Sequence, residues 1–116
     1  MELTGNTLTD FWIWYLLPKQ RKTYKTNSLR GGDNVAKIRF LAMSFAERYG
    51  VFVDYFNSVG IDIVDDIDSC ANDFRYLSKV DFKYIDAHNT RPEARTAAIE
   101  KANELRNKQL NDTTWN

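Results

Sequence analysis

Between Ser44 and Gly60 the large side chains Phe45, Tyr49, Phe52, Phe56 and Val59 recur at spacings of four, three, four and three. Residues at those intervals lie above one another along an α-helix, so the five form one continuous stripe that other elements must seal from water. Ser44 followed by Glu47 is a capping box at the start of this rod. Gly60 can take the left-handed conformation that closes it. Glu47, Gly50, Asp54 and Asn57 fall on the opposite, wetter side, where Gly50 costs about 1 kcal/mol relative to Ala.

The remaining segments supply the cover. Thr7 to Leu17 reads as a helix, with Thr7 and Asp10 as a capping pair and Pro18 as its stop. Its run Phe11 to Leu17 is apolar on every face, so it is either covered on nearly all sides or presents aromatics to a partner. Residues 19–32 read as a basic loop ending in Gly31-Gly32. Residues 34–42 fit a short helix or an extended lead-in, and their period does not separate the two.

After Gly60, the isoleucines 61, 63 and 67 interleave with aspartates, and Phe74, Tyr76, Val80, Phe82 and Tyr84 flank polar residues. This alternation predicts two or three antiparallel strands, with Ser78-Lys79 as a tight turn or a bulge. A last helix is expected from Arg91 to about Gln109, opened by Thr90 and Glu93, with Pro92 in its first turn. Ala94, Ala98, Ala102 and Leu105 give it a narrow face for close packing, Glu104 and Lys108 are spaced as an ion pair, and residues 110–116 read as a frayed tail.

Helices and strands are segregated along the chain, which defines an α+β fold. It comprises an aromatic N-terminal helix, a long central helix, a small antiparallel sheet and a C-terminal helix packed on that sheet. The expected core is Phe11, Trp14, Tyr15, Phe45, Tyr49, Phe52, Phe56, Val59, Ile61, Ile63, Phe82, Ala98, Ala102 and Leu105. A chain of 116 residues suits a single small domain, 1–116. Cys70 is the single cysteine, so no internal disulfide forms and a reducing, cytoplasmic setting is expected. Met1 to Thr4 lacks the basic start of a signal peptide, and the longest apolar run falls far short of the ~20 residues of a membrane span. Sixteen basic and sixteen acidic residues cancel, which removes any global attraction to nucleic acid or anionic membranes.

Three blocks, LTGNTLTDFWIWY (3–15), YGVFVDYFNSVGI (49–61) and TRPEARTAAIEKANELRN (90–107), together resemble a set of small uncharacterised proteins of Bacteroidetes and their phages or prophages. The resemblance implies a shared fold over nearly all of the chain and a phage-related origin. It brings no activity and no functional residue, and Asn57 stands where the central block of that set usually has an acid.

Local chemistry offers three candidates. His88 and Cys70 could form a nucleophilic pair, but His88 sits in a polar turn and Cys70 follows aspartates that raise a thiol pKa. Asp62, Asp65, Asp66, Asp68 and Asp73 could attract a hard cation, but they lack the spacing of a calcium loop and read as a solvated strand face. Lys19, Arg21, Lys22, Lys25 and Arg30, with Tyr24 available to stack, form the best local case for nucleic-acid contact. The same loop could instead neutralise the acidic stretch. No polar set has catalytic spacing, so no catalytic residue, metal or cofactor is assigned. The expected function is that of a small non-enzymatic binding protein of phage or mobile-element type, acting in the cytoplasm through protein contacts. The alternatives are a nucleic-acid accessory protein using residues 19–30, or a minor head or connector component of a virion.

Overall fold

A computed structural model describes residues 1–23, 32–70, 73–85 and 87–113. The order of elements is α1 (Gly5–Tyr15), α2 (Pro18–Thr23), α3 (Gly32–Leu41), α4 (Phe45–Ser58), β1 (Ile63–Cys70), β2 (Asp73–Val80), β3 (Lys83–Tyr84) and α5 (Arg91–Thr113). The fold is α+β, with a three-stranded antiparallel sheet in the order β1-β2-β3 and α5 packed on it.

The central rod forms as its stripe requires. Ser44 Oγ accepts the Glu47 N–H at 3.2 Å and donates to Glu47 Oε1 at 2.9 Å. At the other end, Ile61 N–H donates to Phe56 C=O at 2.9 Å and Gly60 N–H to Asn57 C=O at 3.1 Å. With Gly60 at φ +84°, these are the paired bonds of a Schellman motif, and its apolar contact is supplied by the fully buried Phe56 and Ile61. Tyr49, Phe52 and Phe56 are buried, as are Val51 and Tyr55 beside the stripe, while Phe45 and Val59 are half-buried. Gly50 is exposed.

α1 begins earlier than its sequence suggests, because the capping groups come from α5. Thr4 N–H donates to Asn103 Oδ1 (3.0 Å), Asn103 Nδ2 donates to Thr4 Oγ1 (2.9 Å), and Thr7 N–H donates to Asn107 Oδ1 (2.8 Å). Thr7 is therefore buried inside the helix, and Asp10 is used elsewhere. Gly5 turns the chain at φ +61°, where a Cβ would stand 3.0 Å from Asn107 Oδ1. The opening and closing blocks of the sequence thus meet. Thr7, Phe11 and Tyr15 face the core, Trp12 and Trp14 are half-buried, and Ile13 is exposed, so α1 is covered on some sides only.

Pro18, a stop for α1, is also the first residue of α2, a position that tolerates its missing N–H. Residues 19–23 are accordingly helical, and the expected loop is corrected there; Tyr24 to Gly31 lie outside the described residues. Residues 32–41 resolve as helix, with Ala36 and Phe40 buried.

In the sheet, Ser78-Lys79 lies inside β2, paired with Val64 and Asp65. The turn falls two residues later. Val80 pairs with Lys83, so Asp81 and Phe82 form a two-residue hairpin loop at φ 52° and 66°. Phe82, expected in the core, is therefore lifted off the sheet and is 81% exposed. A bulky residue in the left-handed region costs about 1–2 kcal/mol. Phe82→Gly should raise stability by about 1 kcal/mol in urea denaturation, and a fall would contradict the turn assignment.

The face of the sheet toward α5 carries Ile63, Asp65, Ser78 and Val80; Ser78 Oγ donates to Ala94 C=O at 3.2 Å. On the other face, Lys79 Nζ lies 4.5 Å from the Tyr84 ring centroid, and Tyr84 Oη donates to Asp66 at 3.0 Å. Among the described residues β1 pairs on one side only, and Asp65 and Asp66 charge this edge strand against pairing with another chain. α5 buries Ala94, Ala98, Ile99 and Ala102, with Leu105 half-buried. It begins with Glu93 N–H bonded to Thr90 Oγ (3.3 Å), and Glu104 pairs with Lys101 (3.5 Å). It continues to Thr113, so residues 110–113 are helical rather than frayed; 114–116 lie outside the described residues.

Candidate functional site

Where the chain start, α1, α3 and α4 meet, their apolar faces enclose a groove of about 300 Å³. Its floor is made by the buried side chains of Leu3, Phe11, Phe40 and Phe52. Trp12 forms a wall, edge-on to Phe40 at 5.4 Å and covered by Lys37 Nζ at 5.4 Å from its centroid. The rim carries Leu8, 38% exposed, and Leu41, 62% exposed. Phe11 fixes the floor: its ring lies 5.1–5.9 Å from those of Trp12, Trp14, Tyr15, Phe40, Phe52 and Tyr55.

Two charged residues line this groove. Glu2 is exposed. Arg48 is half-buried, and its Nε is buried without a hydrogen-bond partner. Arg48 lies four residues beyond the Ser44 cap, near the positive end of α4, where a cation is disfavoured. Its neighbours at helical spacing are Ser44, Phe45, Val51 and Phe52, none of them acidic.

Two other arginines show what the fold does when it uses a guanidinium for itself. Arg106 Nη2 donates to Asp10 Oδ2 (3.0 Å), which also accepts from Tyr55 Oη (2.6 Å). Arg95 Nε donates to Asp65 Oδ2 (3.0 Å), Tyr49 Oη donates to Asp65 Oδ1 (2.7 Å), and the guanidinium stacks 4.6 Å from the Tyr49 ring centroid. These Tyr-Asp-Arg clamps tie α4 and α5 to α1 and to β1. Burial, reinforced by the hydrogen bond to each aspartate, pushes both tyrosine hydroxyls well above their ordinary range.

The acidic stretch is dispersed by the strand pleat. Asp65 serves a clamp, whereas Asp66 on the opposite face accepts from the Ile67 N–H (2.8 Å) and the Tyr84 hydroxyl, which hold its carboxyl below the usual range. Among the described residues no group of three or more His, Cys, Asp or Glu could hold a metal ion. His88 is half-buried; its backbone bridges Tyr76 in both directions at 2.9 Å. The side chain of Cys70 lies outside the described residues.

Of the six residues singled out for nucleic-acid contact, Lys19, Arg21 and Lys22 stand on α2, with Lys19 exposed. Tyr24, Lys25 and Arg30 lie outside the described residues. The groove residues were absent from that set, although one signal was legible: Arg48 near a helix start with no acid three or four residues away. No helix among the described residues is long and apolar enough to cross a membrane. Family models, curated proteins and solved structures offer no match to the chain.

Proposed function

We propose that this is a non-enzymatic binding protein, of phage or mobile-element type, that takes an apolar segment of a partner protein into the groove between the chain start, α1, α3 and α4. The observation that carries the reading is the rim. Leu8 and Leu41 stay exposed above a floor of buried aromatics, so an apolar segment laid there removes surface from water without moving the core. The phage-related origin is supported by the three sequence blocks alone.

Burying a leucine fully is worth about 1.5–3 kcal/mol, or tenfold and more in affinity. Peptides selected from a displayed library on the intact protein should therefore bind Leu41→Asp at least tenfold more weakly in calorimetry. Leu41 contributes little to the core, so the variant should keep its circular dichroism and melting temperature. Equal binding to Leu41→Asp would overturn the groove reading.

A further inference from the structure

Building on the groove reading, we infer that Arg48 receives a carboxylate from the segment that fills the groove, so the partner segment is an acidic peptide with apolar side chains beside its acid. Arg48 carries two local costs that the fold does not relieve. Its charge lies near the positive end of α4, and its Nε is buried without a hydrogen-bond partner. Arg106 also buries an Nε without a partner, but its charge is matched by Asp10. No ion pair matches Arg48 among the described residues.

A carboxylate placed in the groove answers the first of these costs, the unmatched charge. A guanidinium offers its N–H groups in a planar fork that suits two carboxylate oxygens, and the apolar walls strengthen that contact by excluding water. Glu2 also lines the groove, and Lys37 lies over its Trp12 wall.

The occupant is a peptide rather than a single acyl chain because apolar surface continues past the rim. Ile38, one turn from Leu41 on α3, is 66% exposed, which gives a segment with several side chains more to cover.

The test is selection of a random dodecapeptide library on intact wild-type protein, followed by calorimetry of the winning synthetic peptide on Arg48→Met, Arg48→Lys and Leu41→Asp. Wild type should enrich Asp or Glu next to apolar residues. The winner should lose tenfold or more on Arg48→Met, which keeps the length of the side chain, and most of that loss should return on Arg48→Lys. Selection on Arg48→Glu should favour Lys or Arg at the acid position; if that variant does not fold, the Met and Lys variants still decide. A winner that binds Arg48→Met as well as wild type, yet is lost on Leu41→Asp, would overturn the carboxylate contact and leave the groove reading standing. A winner indifferent to Leu41→Asp would overturn the groove reading itself. Enrichment of no peptide together with tight binding of dodecanoate would overturn the peptide as occupant.

Discussion

Above about pH 10 the protein is expected to lose stability by up to about 2.7 kcal/mol for each further pH unit. The cause is the pair of clamps. In the unfolded chain Tyr49 and Tyr55 release their protons near pH 10, whereas in the fold burial and the aspartate partners hold those protons on. The folded state then binds two more protons than the unfolded one, so the stability they supply is complete below pH 10 and drains away as pH rises. The loss continues for as long as the folded state holds those protons. Urea denaturation between about pH 9 and 12 measures this directly. Tyr49→Phe and Tyr55→Phe should each remove about half of the slope, and an unchanged slope in either would show that its hydroxyl is not held as described.

Phe11→Ala is the second large effect. The ring is fully buried and touches six other aromatic rings, so its removal forfeits transfer free energy and leaves a cavity beneath Trp12 and Phe40. The expected cost is about 3–5 kcal/mol in denaturant, with loss of near-ultraviolet dichroism. A cost below about 1 kcal/mol would mean that the groove floor is not packed around this ring.

These two effects also show how much was legible in the sequence. The rod from Ser44 to Gly60, the Thr90 cap and the α+β order were readable because each is set by neighbours a few residues apart. The start of α1 was not, since its caps are Asn103 and Asn107, about a hundred residues away. Asp10 and Thr7 have cap spacing, and the fold assigns both to long-range bonds. Phe82 followed the strand alternation, but alternation fails at a turn, and Asp-Phe lacks the glycine that usually marks one. Pro18 misled in a different way, since a proline can end one helix and begin the next. For the site, the basic residues at 19–30 drew notice as a cluster, whereas the groove is assembled from four segments, and of its lining only Phe11 and Phe52 read as core. Arg48 went unread, although a cation near a helix start with no acid three or four residues away is a local irregularity. Such irregularities concentrate at functional positions because the fold alone does not reward them.

In the proposed function Arg48 serves a partner and not the fold. The most direct measurement is the thermal melt of Arg48→Met in the absence of any ligand. Methionine keeps the apolar stem and removes the charge near the start of α4 together with its unpaired N–H. Stability should rise by about 1 kcal/mol, which for a domain of this size is roughly 4 °C. A lower melting temperature would mean that the guanidinium holds the structure together, and the account of the groove as a receptor for acidic segments would be contradicted.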